Sequence, residues 1–141
     1  MDNRQLFLDA NAILYALDET CDYYPKVVKI IQNQLDNGVM LCTSHHVIEE
    51  VLHVARKISG TSSAKVIKEI SKIPDLVLVE PDATLDFDVR YALLSDKLNI
   101  GVNDALLLQL MVDSGITGLL SYDKKFVESA AVLGIAKPRN Y

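Results

Sequence analysis

The sequence predicts an α/β fold, a three-layer α/β/α sandwich with a mainly parallel central sheet. Short apolar runs alternate with amphipathic segments along the chain, which is the order expected when each strand is followed by a crossover helix. The apolar run at residues 76–79 is unbroken, and such runs are typical of parallel strands covered on both faces. Because half of the 141 residues are apolar and no linker or repeat is evident, we expect a single domain over residues 1–141.

The first part of the chain contains two predicted strands and two predicted helices. The run at residues 6–8 indicates a buried strand, and Asn11 is expected to cap the helix that follows it. Apolar residues recur at helical spacing over 27–35, and Gly38 is expected to end that second helix. The run at 39–42 then predicts the second strand.

The middle of the chain continues this alternation. Ser44 is expected to cap a helix whose apolar arc reaches Ile58. An amphipathic helix is expected over 64–73, where isoleucines recur among lysines, and the proline that follows directly is expected to end it. The run at 76–79 predicts the third strand, and a helix is expected over 83–98.

The last part of the chain contains the most apolar predicted helix. Asn103 is expected to cap this helix over 104–114, which we place at the centre of the fold. A short strand is predicted at 119–120, a helix at 126–132 and an edge strand at 134–136.

Four acidic residues lie where a strand ends or near the start of a helix in this scheme. Asp9 directly follows the first strand, and ligands of open α/β sheets bind at the carboxyl ends of strands. Asp104 opens the central helix, Asp123 follows the strand at 119–120, and Glu50 lies on the third helix. A simpler alternative is that these acids only cap helices or interact with helix N-termini.

Glu50 is preferred over the adjacent Glu49 because of its position on the predicted helix. Valines one turn before and one turn after Glu50 place it at the edge of the apolar arc. Glu49 instead neighbours His53 and Arg56, so a surface ion pair accounts for it. We therefore expect Glu50 to point toward the edge of the sheet.

A cluster of carboxylates from four separate segments is unstable without a cation. Because oxygen ligands favour Mg²⁺ or Mn²⁺ over zinc, one of these two ions is the expected cofactor. Zinc is not expected at His45 and His46, since adjacent residues on a helix point about 100° apart and the HExxH spacing is absent.

Four segments carry a resemblance to a known family, namely FLDANAIL at 7–14, IEEVL at 48–52, NDALL at 103–107 and LLSYDKKF at 119–126. In order and spacing they resemble the PIN-domain ribonucleases, particularly the small toxins of toxin–antitoxin pairs. The resemblance covers nearly the whole chain and implies a PIN-like nuclease domain. The metal-binding acids of the family fall on Asp9, Glu50, Asp104 and Asp123, and Asn11 and Ser121 fall where the family often has a supporting polar side chain.

This resemblance implies metal-assisted hydrolysis of phosphodiester bonds in single-stranded RNA, with one or two Mg²⁺ ions. In that scheme Asp9 and Asp104 hold the principal ion, and Asp123 holds a second ion or its waters. Glu50 binds that ion or a water and helps to take the proton of the attacking water. The resemblance also implies a homodimer and an antitoxin protein as a candidate partner.

Composition bears on the partners and on the compartment. The formal net charge of −5 argues against a broad basic surface for nucleic acid, although bound cations would neutralise part of it. The two cysteines lack a CxxC spacing and suit a reducing compartment. Because the most apolar run, residues 106–112, is far too short to span a bilayer, we expect a cytoplasmic protein with no membrane partner.

Three other functions fit parts of the pattern. An aspartyl phosphatase would carry a second Asp two residues after Asp9, where this chain has Asn11. A non-enzymatic binding module of the same fold would use the acids as helix caps, and a metal titration separates it from a nuclease. An RNA-processing nuclease of the PIN type without an antitoxin is the third alternative.

Overall fold

The structure is a computed structural model that describes residues 4–138. Within that range the chain forms four strands and seven helices, which alternate in the predicted order. The strands are β1 (Gln5–Leu8), β2 (Met40–Thr43), β3 (Val77–Leu78) and β4 (Gly118–Leu120). The helices are α1 (Ala10–Leu17), α2 (Tyr24–Asp36), α3 (His45–Ser59), α4 (Ser63–Ile70), α5 (Leu85–Leu98), α6 (Val102–Asp113) and α7 (Lys124–Val132).

The four strands form one parallel sheet in the order β3-β2-β1-β4. Leu6 of β1 pairs with Leu41 of β2 on one side and with Gly118 of β4 on the other. The predicted edge strand at 134–136 is reduced to a single parallel bridge between Ala136 and Gly118. The prediction of an α/β/α sandwich with a parallel central sheet is confirmed.

The core lies around the two central strands. Phe7 and Leu8 of β1 and Leu120 of the adjacent β4 are completely buried, and α6 buries half of its residues, in keeping with its apolar sequence. The third strand differs from the prediction, because Val77 and Leu78 are 40% and 42% exposed. Because of this exposure, the expectation that the strand is covered on both faces is wrong. Among the described residues, β3 is an edge strand of the sheet and pairs with β2.

Two helices have boundaries that differ from the apolar pattern. α4 ends at Ile70 rather than at residue 73. It ends there because the Ser71 hydroxyl donates to the carbonyl of Lys68 at 2.6 Å and competes with the helical hydrogen bonds. α2 begins at Tyr24, three residues before the predicted helical spacing starts, because Pro25 fits the first turn of a helix, where no backbone N–H is needed. Most of the other boundaries agree closely.

Two predicted helix caps are wrong. Asp9 rather than Asn11 caps α1, since its Oδ1 accepts from the backbone N–H of Ala10 at 2.9 Å. α6 begins after Gly101 without a side-chain cap, so Asn103 lies in its first turn. Both helices therefore begin two residues before the predicted start. No helix within residues 4–138 is long and apolar enough to cross a membrane.

Candidate active site

The site lies where the order of the strands reverses. From β1 the chain first adds β2 on one side, and it later adds β4 on the other side of β1. The carboxyl ends of two such neighbouring strands border a crevice in which open α/β sheets bind ligands. Asp9 directly follows β1, and Ser121 to Asp123 directly follow β4. The topology therefore brings two of the predicted acids to one place.

Asp9 is the most buried of the four acids, with only 8% of its surface exposed. Its Oδ1 accepts from the backbone N–H of Ala10 at 2.9 Å, and its Oδ2 accepts from the Ser121 hydroxyl at 2.7 Å. Burial raises the pKa of Asp9, and the two hydrogen bonds partly offset that rise because they favour the charged form. The carboxylate is thus held in one orientation.

Ser121 and Asn11 join the two sides of the crevice. Besides donating to Asp9, the fully buried Ser121 hydroxyl accepts from the backbone N–H of Asp123 at 3.1 Å. The Asn11 side-chain oxygen accepts from the backbone N–H of Tyr122 at 3.0 Å. Both predicted supporting residues therefore position the segment that carries Asp123 against α1.

Asp123 combines the cap that the sequence suggests with a place in the acidic cluster. Its Oδ1 accepts from the backbone N–H of Phe126 at 3.2 Å and so caps α7. Its charge also raises the pKa values of Asp9, Glu50 and Asp104. The capping explanation is correct, but it leaves one carboxylate oxygen that does not bond to the helix N-terminus.

Asp104 lies in the first turn of α6 and is partly buried. Burial is the largest cause of its raised pKa, and the charges of Asp123 and Asp9 raise it further. The ammonium group of Lys125 opposes this effect. Asp104 is therefore close enough to both strand-end acids to be destabilised by their charge when all three are ionised.

Glu50 completes the cluster from α3. Partial burial of its carboxyl raises its pKa, and the charges of Asp9, Asp104 and Asp123 raise it further, although much of the side chain is exposed. Glu49 is exposed, and within residues 4–138 it forms none of the ion pairs that its neighbours suggest. Its long, flexible side chain in high-dielectric solvent gains little from such a pair.

The two histidines at the start of α3 are exposed. His45 contacts the carboxylate of Glu80 through Nδ1, and no zinc-like arrangement accompanies either ring in the described part of the chain. The His45–His46 pair therefore contributes nothing to the acidic cluster.

The donor set fits a hard divalent cation by its chemistry, though not as a closed cage. Among residues 4–138, no three His, Cys, Asp or Glu side chains are grouped closely enough to hold a metal ion as they stand. The four acids nevertheless act on one another electrostatically. The four acids therefore lie near enough to affect one another's pKa without being grouped as the ligands of a single ion. The all-oxygen character of the set favours Mg²⁺ or Mn²⁺.

Two features of the site were not predicted from the sequence. The Thr43 hydroxyl donates to the carbonyl of Leu8 at 2.8 Å and holds the carboxyl ends of β1 and β2 together. The rings of Tyr15, Tyr23 and Tyr122 form a cluster with centroid distances of 4.8 to 5.4 Å. The spacing of Tyr15 four residues after Asn11 is a signal that would have indicated its proximity to the site.

Solved structures with the same fold include three chains at low sequence identity. VapC20 of Mycobacterium tuberculosis, described as a toxin that cleaves the sarcin–ricin loop, is 17% identical with a TM-score of 0.65, over 93% of this chain and 96% of that chain. VapBC-1 of nontypeable Haemophilus influenzae is 16% identical with a TM-score of 0.67, over 96% of this chain and 98% of that chain. VapBC2 of Rickettsia felis, solved with a DNA fragment from its promoter, is 18% identical with a TM-score of 0.62, over 95% of this chain and 97% of that chain. At these identities the likeness shows the fold alone.

Comparison by sequence gives a clearer assignment. No curated protein matches the chain. The family model of the PIN domain, however, matches residues 6–132, which include all four acids and both supporting residues. The resemblance that the four sequence motifs indicate is thereby confirmed, and the chain belongs to the PIN domain family.

Proposed function

We propose that this protein is a metal-dependent endoribonuclease that hydrolyses phosphodiester bonds in single-stranded RNA. The observation that carries the proposal is the electrostatic coupling of four acids at the place where the order of the strands reverses, namely Asp9, Glu50, Asp104 and Asp123. Membership of the PIN domain family supports it, as does the structural likeness to VapC20, which is described as cleaving the sarcin–ricin loop.

The four acids act first as ligands of Mg²⁺ or Mn²⁺. When bound, such an ion polarises the scissile phosphate, activates a water molecule and stabilises the leaving oxygen. Asp9 supplies a preoriented ligand because both of its oxygens are held by hydrogen bonds. Asp104 lies beside it with a raised pKa, and its carboxylate gains from a cation that offsets the repulsion.

Asp123 and Glu50 occupy more exposed positions and take more mobile roles. Asp123 is held at one oxygen by its cap on α7, which leaves the other oxygen for a second ion or its waters. Glu50 has a raised pKa, so its carboxylate accepts a proton from water more readily than an ordinary glutamate does. Ser121 and Asn11 position Asp9 and Asp123 relative to each other through the hydrogen bonds between the start of α1 and the segment after β4.

Cleavage of a labelled single-stranded RNA tests this proposal. We expect cleavage in Mg²⁺ or Mn²⁺ and none in EDTA. Asp9→Asn, which keeps the shape and removes the charge, should abolish cleavage, whereas Glu49→Gln should retain most of it as a matched control for Glu50→Gln. Undiminished cleavage by metal-free protein in EDTA would refute the proposal, and equal losses at the two glutamates would refute the assignment of Glu50.

The partners are proposed by the same reasoning. Because two of the similar structures are VapBC proteins, we propose that this chain is the toxin of a toxin–antitoxin pair. We also propose a homodimer, since Leu85, Val89 and Leu93 recur every four residues on α5 and are 80%, 54% and 62% exposed. Sedimentation should show a dimer at micromolar concentration, and a monomer alone would contradict this part of the proposal.

A further inference from the structure

Three tyrosine rings pack together beside the acidic cluster. Tyr15 and Tyr23 are stacked, with centroids 4.8 Å apart and an interplanar angle of 15°. Tyr122 meets Tyr15 edge-on at 5.4 Å and Tyr23 at a tilt at 5.2 Å. The chain has six tyrosines, so half of them lie in this one cluster. They come from α1, from the residue before α2 and from the segment after β4.

The tyrosine cluster is tied directly to the site. Tyr122 lies between Ser121 and Asp123 in the chain, and its backbone N–H donates to the side chain of Asn11 at 3.0 Å. Tyr15 follows Asn11 by one helical turn on α1. The cluster therefore adjoins the segment after β4 that carries Asp123, one of the four acids.

One ring of the cluster is presented to solvent. Tyr23 is 48% exposed, although two other rings contact it, whereas Tyr15 and Tyr122 are partly buried. A ring needed only for packing at the entry of α2 would be expected to bury more of its area. Tyr23 is thus an exposed aromatic ring that two further rings hold in place, and exposed aromatic side chains are what nucleic-acid bases stack on.

We propose that Tyr15, Tyr23 and Tyr122 form a stacking surface for a base of single-stranded RNA next to the cleaved phosphodiester, with Tyr23 as the ring in contact. This rests on the proposed function insofar as the ligand is RNA. The net charge of −5 gives the protein little general attraction for phosphates. Stacking supplies affinity that does not depend on charge, and it tolerates any base because every base has a π-face.

Binding measurements with and without bases test this surface. The probes are a fluorescein-labelled decamer of riboadenosine and an abasic decamer with the same ribose–phosphate backbone, measured by anisotropy in Ca²⁺ and in EDTA with RNA integrity checked on a gel. Tyr23→Leu should weaken binding of the adenosine decamer about tenfold and leave binding of the abasic decamer unchanged. Tyr23→Phe keeps the ring and should bind like the parent.

A matched control is Tyr91→Leu on α5. Tyr91 packs on Phe87 with ring centroids 5.4 Å apart. The adjacent Arg90 binds Asp113 at the C-terminal end of α6, whereas Asp104 lies at the N-terminal end of that helix. Tyr91 is therefore at the opposite end of α6 from the acidic cluster. This variant should bind both decamers like the parent. Equal weakening of both decamers by Tyr23→Leu, or parent protein that does not distinguish them, would overturn the proposal, as would failure of the parent to bind RNA.

The outcomes also separate this inference from the proposed function. Base-dependent binding that requires Tyr23, without cleavage in Mg²⁺, would support the stacking surface and contradict the nuclease. Metal-dependent cleavage with binding that is indifferent to bases and to Tyr23 would support the nuclease and overturn the stacking surface.

Discussion

Replacing Ser121 by alanine should destabilise the protein and do so more strongly at neutral than at acidic pH. The variant loses the hydrogen bond to the buried Asp9 carboxylate, which contributes about 1.5–3 kcal/mol when the acceptor is charged. It also loses the bond accepted from the Asp123 backbone, which contributes about 1 kcal/mol. We therefore expect a loss of about 3 kcal/mol at pH 7, or about 10 °C in Tm.

The pH dependence follows from the pKa of Asp9, which burial raises above its unfolded value. The stability contributed by the protonated group is fully present below the unfolded pKa and is lost as pH rises through the folded pKa. The Ser121 hydroxyl opposes this loss because it stabilises the charged form, so its removal raises the folded pKa further. Below that pKa only neutral hydrogen bonds are lost, and the cost should fall to about 2 kcal/mol.

Urea unfolding of parent and variant in EDTA at several pH values measures these quantities. Ser59→Ala is the control, because the exposed Ser59 hydroxyl donates to the carbonyl of Ala55 and contacts the Thr61 hydroxyl on the surface. Its loss should change stability by less than about 0.5 kcal/mol. A Ser121→Ala loss as small as that of the control, or one that grows as pH falls, would refute the role assigned to this hydrogen bond.

Two further predictions concern the sheet and the cysteines. Gly118→Ala should destabilise the protein by about 2 kcal/mol in urea unfolding, since its Cβ would stand 2.8 Å from the carbonyl oxygen of Gln5; an unchanged midpoint would contradict the close approach of β4 to β1. Native protein should be alkylated by iodoacetamide at Cys21 and not at Cys42, because burial raises the pKa of Cys42 to about 12; mass spectrometry showing modification of Cys42 before unfolding would contradict its burial.

Local patterns predict the fold because they repeat in every element. Each strand appears as a short apolar run and most helices as an apolar arc, and the alternation of the two dictates a parallel sheet. Where the predictions differ from the structure, the deciding contact is tertiary or involves one side chain. The edge position of Val77 and the early end of α4 at Ile70 depend on such contacts.

The candidate site was only partly predictable for the same reason. The positions of Asp9 and Asp123 follow from the ends of strands, and sequence spacing places Asn11 and Ser121 near them. The spacing of apolar residues does not predict that Ser121 donates to Asp9 across more than a hundred residues. It also does not predict that three tyrosines from three segments pack together. Such contacts depend on the order of strands in the sheet, which the sequence pattern does not contain.

The most direct test of the central claim, that the four acids form a divalent-cation site, uses Asp104→Asn in paired thermal melts with EDTA and with Mg²⁺. The folded-state pKa of Asp104 is raised by burial and by Asp123 and Asp9, so its stabilising contribution exists below the unfolded pKa and is lost as pH rises through the folded pKa. At pH 7 in EDTA the charged group therefore strains the fold.

Asp104→Asn should consequently melt higher than the parent in EDTA. Mg²⁺ at a hundredfold over Kd should stabilise the parent by about 2.7 kcal/mol through mass action, and the variant by less. If Asp104→Asn instead melts below the parent in EDTA, Asp104 acts by stabilising the N-terminus of α6 rather than as one of a group of repelling metal ligands, and the central claim is contradicted.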